Sequence, residues 1–311
     1  MKAVIVGAGG LGSYVGAVLA RAGHDVILVA RGDHAAAIEA EGLRVLSHAG
    51  DFTVHPTCVA SAFDVQEADL AFVTVKTYSL DEVAPQLVHL AERGSVVVSL
   101  LNGVSASDRL VTSGVAADRL LDGVAYMTAF RLEPGLVDRR AAHQRIVVGG
   151  SERASAACTD LVRSAFADTL VDVPVATDIR VELWEKMAVV CSLSVLCAIG
   201  GRRMGSVRSH EFGADLQRRA IAEVMAVGRA AGVPIPGDAE DRIDATLDRF
   251  PDDFFPSVIY DLNRGRRTEM DDLGGAICRM GREVGVPTPL HDAGTCAVQV
   301  AEETAKQGGR E

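Results

Sequence analysis

Two lysines stand where charge is normally excluded. Only four of the 31 basic residues are lysine, yet Lys76 follows Phe72-Val73-Thr74-Val75 and Lys186 lies within Leu183-Trp184-Glu185-Lys186-Met187-Ala188-Val189-Val190. An ammonium is a compact donor that can release its proton, whereas a guanidinium stays protonated at any working pH. These positions therefore read as sites of chemistry, the plainer alternative being a lysine stem that runs past apolar neighbours to put its charge in water. The run Gly7-Ala8-Gly9-Gly10-Leu11-Gly12 offers a second kind of chemistry. It follows a short apolar run and opens a helical stretch, the context in which G-x-G-x-x-G cradles a dinucleotide: Gly7 for the tight turn, Gly9 for close approach of backbone to pyrophosphate, Gly12 for close packing of helix on strand. Gly10 and Leu11 open the helix, whose N-terminus favours the anion. Domains that take NAD usually end their second strand on an acid that holds the ribose hydroxyls. Here that place, after Val26-Ile27-Leu28-Val29-Ala30, is Arg31, a cation suited to a 2′-phosphate, so NADPH/NADP is the expected cofactor and FAD is disfavoured. A solvated arginine at a strand end is the other reading. Asn102-Gly103 and Lys76 close two further strands at the rim where an open α/β sheet binds ligands, so both are expected beside the nicotinamide.

These residues need a scaffold, and its pattern is legible. Apolar runs at Lys2–Val6, Asp25–Ala30, Leu70–Val75 and Ser95–Leu101 alternate with helical stretches at Leu11–Ala22 and Leu80–Arg93, which predicts strand-helix-strand units and a parallel sheet. Gly123–Arg131, Leu136–Arg140 and Gln144–Val148, separated by turns, read as antiparallel strands appended to that sheet, followed by a helix over Glu152–Phe166. From Asp178 the period is helical almost throughout, with a last helix from Pro289 that frays into Lys306–Glu311. The expectation is an α/β protein: a Rossmann-type doubly wound parallel sheet over residues 1–176, then an all-α substrate domain over 177–311. Formal charge of −11 with no dense basic cluster argues against nucleic acid. No run is long enough to span a bilayer or to act as a signal, so the cytoplasm is the expected compartment. Six scattered cysteines and eight histidines show no ligand spacing, so neither disulfides nor a metal is expected, and His24, His34 and His89 read as residues of solvated helix ends or loops.

The chain resembles the ketopantoate reductases (2-dehydropantoate 2-reductases), in order and over nearly its whole length. The resemblance is carried by the Gly7–Gly12 loop, Arg31, Val75-Lys76, Asn102-Gly103, Trp184-x-Lys186, the stretch Ser257–Asp261 and Gly265-Arg266-Arg267-Thr268-Glu269, the last two being the most specific. It implies that Lys186 is the general acid, that Glu269 positions substrate hydroxyl and nicotinamide ribose, that Ser257 contacts substrate, and that Lys76 and Asn102 line the nicotinamide site. By residue chemistry alone, Glu269 also reads as a partner for the neighbouring arginines, and Ser257 as a helix N-cap. Hydride delivered to a ketone carbon leaves an alkoxide that needs a proton and a positive partner, and an ammonium supplies both.

The resemblance breaks at one helix face. Members acting on ketopantoate typically carry asparagines four and eight residues after the catalytic lysine, where this chain has Val190 and Ser194, and an asparagine-glycine pair further on is Gly274-Gly275. The implied function is NADPH-dependent reduction of a 2-oxoacid, either ketopantoate or a related branched one. A β-hydroxyacid dehydrogenase and a non-catalytic NADPH-sensing module are the rivals. The expected partner is a small-molecule 2-oxoacid, and a homodimer is compatible with the sequence, which does not set the oligomeric state.

Overall fold

The computed structural model describes residues 1–139, 144–150, 154–201 and 203–308, without the side chains of 306–308. The expected strand end at Arg140, the expected helix start at Glu152 and the last residues of the expected tail, 309–311, lie outside the described residues. Two compact units emerge, Met1–Ile179 and Arg180–Glu311.

The first unit is organised by strands with no polar face. β1 (Lys2–Val6), β6 (Leu70–Val73) and β7 (Val96–Ser99) bury every residue except Lys2, the signature of strands covered on both sides. With β2 (Asp25–Val29), β5 (Thr57–Val59), β8 (Leu120–Tyr126) and β11 (Arg145–Gly150) they form one sheet in the order β11-β8-β7-β6-β1-β2-β5. All its pairings are parallel except β11 with β8. The crossovers carry α1 (Gly10–Arg21), α2 (Gly32–Glu41), α3 (Leu80–Glu92) and α4 (Ala106–Thr112), and α5 (Ala156–Ala165) follows β11. The chain winds one way from β1 to β2 and the other from β1 to β6, which makes the gap between the ends of β1 and β6 the ligand-binding switch point.

A second sheet departs from the expected plan. β9 (Phe130–Glu133) and β10 (Leu136–Arg139) do not extend the main sheet; with β3 (Leu43–Ser47) and β4 (Phe52–Val54) they form a four-stranded sheet in the order β4-β3-β10-β9. Nor is β8 antiparallel to its inner neighbour: it runs parallel to β7. Burial supplies the reason. Leu43, Val45 and Val137 of the small sheet share one apolar cluster with Tyr14, Val15 and Val18 of α1, so α1 lies between two sheets and its residues Gly12–Leu19 are all buried.

His34, expected in solvent, is a second correction, being only 4% exposed. The backbone N–H of Gly135 donates to its Nδ1 at 3.0 Å, so the neutral ring carries its proton on Nε2 and donates it to Ser13 Oγ at 3.1 Å. Burial, and then the Arg131 charge, depress its pKa to about 4. The ring thus joins α1, α2 and the β9–β10 turn. His24 and His89 are half-buried, each with Nε2 on a backbone carbonyl, Ala165 and Val65 respectively.

The second unit is helical: α6 (Ile179–Ile199), α7 (Met204–Arg208), α8 (Gly213–Ala230), α9 (Ala239–Leu247), α10 (Ser257–Leu262), α11 (Gly274–Val284) and α12 (Pro289–Gly308). α6 carries its charged residues, Arg180, Glu182, Glu185 and Lys186, in its first half, and from Cys191 to Cys197 every residue is buried. Trp184 packs against α8 at Gly228, where a Cβ would come within 2.8 Å of the indole. Glu223 of α8 ties down the start of α12 by accepting the Leu290 and His291 backbone N–H groups at 3.0 and 3.1 Å and contacting His291 Nδ1 at 2.7 Å. All six cysteines are free. Among the described residues, no helix is long and apolar enough to cross a membrane.

Candidate active site

In the first unit, the glycine loop is built as its spacing predicts. Gly7 has φ +111°, and a Cβ there would lie 2.6 Å from Val75 N. At Gly12 a Cβ would lie 2.1 Å from Gly7 O and 2.3 Å from Thr74 Oγ1, so helix and strand meet at a distance only glycine permits. Gly10 is equally tight against Ala129 O, at 2.1 Å. Gly9 differs: a Cβ there would meet nothing within 4 Å. Its backbone faces open space at the start of α1, whose first turn holds no acid and begins Gly10-Leu11-Gly12. A pyrophosphate fits that opening, since backbone N–H groups and the positive end of the helix dipole converge there.

The neighbouring strand ends converge on the same rim. β6 stops at Val73, so Lys76 does not end a strand as expected; it sits three residues on, half-buried, as the cap of a short 3₁₀ turn, Thr77–Ser79. The strand stops because the chain turns to hold the glycine loop. Thr74 Oγ1 donates to Gly7 O at 2.8 Å, and Val75 fills the space under Gly7. Thr77 Oγ1 then donates to Asn102 O at 3.2 Å, which joins the Lys76 turn to the half-buried Asn102 beyond β7. Thr74 and Thr77 are the positioning residues missed in the sequence. Their signal was a pair of threonines flanking Val75-Lys76 where the apolar run from Leu70 ends. Arg31 caps α2 at the end of β2, donates from Nε to Ala60 O at 2.9 Å and remains 63% exposed.

In the second unit, the central residue is Lys186, on the α6 face two residues past the buried Trp184. Desolvation lowers its pKa to about 8, and the charge of Glu269 opposes that shift by favouring the ammonium. Glu269 is itself buried and lies in a segment held at both sides. Thr268 N donates to Glu302 Oε1 at 2.8 Å, and Leu273 N donates to Glu269 O at 3.0 Å. The arginines near Glu269 in sequence, Arg264, Arg266 and Arg267, are exposed while Glu269 is not.

The other expected substrate contacts fall as follows. Ser257 is not the N-cap of α10, which is Pro256; it is the first helical residue, half-buried, with no capping hydrogen bond from a side chain. Val190, one turn beyond Lys186, is half-buried. Ser194, one turn further, is fully buried, and its hydroxyl donates to Val190 O at 2.7 Å. That hydroxyl is committed to its own helix. Around Gly274 the space an asparagine side chain would need is filled, with Thr295 Oγ1 at 2.4 Å and Met270 Cε at 2.5 Å from a Cβ there.

Two family models together span nearly the whole chain. Residues 3–153 match the family model described as ketopantoate reductase PanE/ApbA, and residues 178–302 match the model of that family's C-terminal part. A 2-dehydropantoate 2-reductase of Mesorhizobium japonicum is 30% identical, the alignment covering 94% of this chain and 95% of that protein. The PanE/ApbA family ketopantoate reductase from Ralstonia eutropha superposes with a TM-score of 0.87 at 32% identity, over 98% of this chain and 100% of the other. D-mandelate dehydrogenase solved with NADH and anilino(oxo)acetate shares the fold, with a TM-score of 0.89 at 22% identity over 98% and 99% of the two chains.

Proposed function

Since the chain belongs to the ketopantoate reductase PanE/ApbA family and is an oxidoreductase of that family, we propose that it reduces a branched 2-oxoacid to the 2-hydroxyacid with NADPH. The observation that carries this reading is Lys186: an ammonium in an apolar helix, its pKa brought down to about 8 by desolvation and kept from falling further by Glu269. Such a group is mostly protonated at neutral pH and gives up its proton readily, as a general acid must.

A bound reduced nicotinamide supplies the hydride. The chain's own residues do the rest. The Gly9 opening and the α1 N-terminus hold the pyrophosphate, Arg31 takes the 2′-phosphate, and Lys76 and Asn102 flank the ring end at the sheet rim. Lys186 binds the carbonyl oxygen, stabilises the charge that grows there and delivers the proton. Glu269 keeps the ammonium charged and accepts from a hydroxyl of the substrate or ribose, and Ser257 contacts the substrate.

Substrate choice follows from α6. With a valine at 190 and the Ser194 hydroxyl bonded to Val190 O, this face offers a polar substrate tail little to bond to. An apolar wall discriminates by only about 10 to 200-fold per methylene, whereas a site built for a hydroxyl rejects analogues lacking it by about 10⁴-fold. Ketopantoate is therefore one substrate in a wider set of branched 2-oxoacids. NADPH consumption measured against a panel of 2-oxoacids tests the proposal: turnover of at least one apolar branched acid at a kcat/KM equal to or above that of ketopantoate is expected. Cofactor binding without turnover of any 2-oxoacid would sink it.

A further inference from the structure

The cation at the end of β2 has an acidic neighbour. Arg31 Nη1 lies 3.8 Å from Glu82 Oε1 in the first turn of α3, and both side chains are more than half exposed. Nε is already committed to Ala60 O, which fixes one edge of the guanidinium and leaves its Nη1 side toward Glu82. The adjacent acid, Asp81, is occupied by Arg109 at 2.9 Å. Glu82 is thus the carboxylate that answers Arg31.

We infer that Glu82 sets how strongly this protein distinguishes 2′-phosphorylated from unphosphorylated dinucleotides, by competing with the 2′-phosphate for Arg31. The inference rests on Arg31 as the phosphate ligand. A 2′-phosphate arriving at Nη1 shares the guanidinium with the Glu82 carboxylate and sits in its field, so its affinity is reduced. An unphosphorylated ribose carries no charge to be repelled and makes no claim on the guanidinium. Because the pair is exposed, water and salt weaken the competition without abolishing it. The outcome is a site tuned to a moderate preference rather than a strict one.

The test is equilibrium binding of NADPH, NADH and adenosine 2′-monophosphate, by calorimetry or fluorescence, to the wild-type chain, Glu82→Gln, Arg31→Ala and the double variant. Glu82→Gln should tighten NADPH and adenosine 2′-monophosphate by roughly 3 to 10-fold and leave NADH within about twofold, which also reports an intact fold. The gain should vanish in the Arg31→Ala background and shrink in about 0.5 M salt. If Arg31→Ala weakens NADPH while Glu82→Gln leaves it unchanged, the competition is wrong and the phosphate reading stands. Loss of NADH affinity in Glu82→Gln would instead make Glu82 a ribose ligand and overturn the inference. Unchanged NADPH affinity in Arg31→Ala would overturn the phosphate reading and this inference with it.

Discussion

Lys186 is a residue whose environment can be read as a pH profile. Desolvation lowers its pKa to about 8 and Glu269 pulls it back up, so the protonated acid is lost as pH rises through that value. The kcat/KM for reduction should fall above about pH 8, and Glu269→Gln should move that limb to lower pH because the opposing charge is gone. A profile unmoved by Glu269→Gln would separate the two residues. Lys186→Ala should lower kcat by roughly 10² to 10⁴-fold with dinucleotide affinity intact, and Lys186→Arg should do little better, since a guanidinium does not release its proton. Full activity of the folded alanine variant would remove Lys186 from the reaction.

At the scale of elements, two predictions separate packing from ligand binding. In α1, Gly9 and Gly12 belong to one motif but meet different surroundings: a Cβ at Gly12 runs into Gly7 O and Thr74 Oγ1, whereas one at Gly9 meets nothing. Gly12→Ala should therefore cost about 1–3 kcal/mol of stability in thermal or denaturant unfolding. Gly9→Ala should leave the melting temperature unchanged and weaken dinucleotide binding by at least about tenfold. Equal stability losses in both would mean the opening at Gly9 is not a binding surface. In α6, Val190→Asn should shift kcat/KM toward ketopantoate over apolar 2-oxoacids by roughly tenfold or more. Ser194→Asn adds less, because Ser194 is fully buried and bonded to its own helix. A wild-type preference for ketopantoate above about a thousandfold would show that other residues hold its hydroxyl.

Across the whole first unit, His34 couples parts that lie far apart in the chain. Its neutral form accepts from Gly135 N and donates to Ser13, and protonation would set an N–H against the Gly135 N–H. With the folded pKa near 4 and the ordinary value 6.5, the ring contributes stability that is present above about pH 6.5 and is lost as pH falls toward 4, by up to about 3 kcal/mol. Melting temperature against pH should show that acid limb. His34→Gln, which can still accept and donate, should flatten it, and an unchanged limb would place the acid sensitivity elsewhere.

Local sequence determined the features that short-range physics controls. The apolar strands Lys2–Val6, Leu70–Val73 and Val96–Ser99, the glycines that permit their turns, the helical second half and the two out-of-place lysines could all be read without a partner segment. Tertiary structure decided what depends on pairing between remote stretches. β10 could join the main sheet or pair with β3, and only the need to cover the outer side of α1 chose β3. His34 is polar by composition and buried because Ser13 and Gly135 meet both its nitrogens. Lys76 lies beyond its strand because Thr74 turns the chain to bond Gly7. Ser194 looks like a donor available to a substrate until the helix supplies the Val190 carbonyl that accepts its hydrogen bond. A side chain's type sets the bonds it can make, but which groups come within reach is fixed only when distant segments pack.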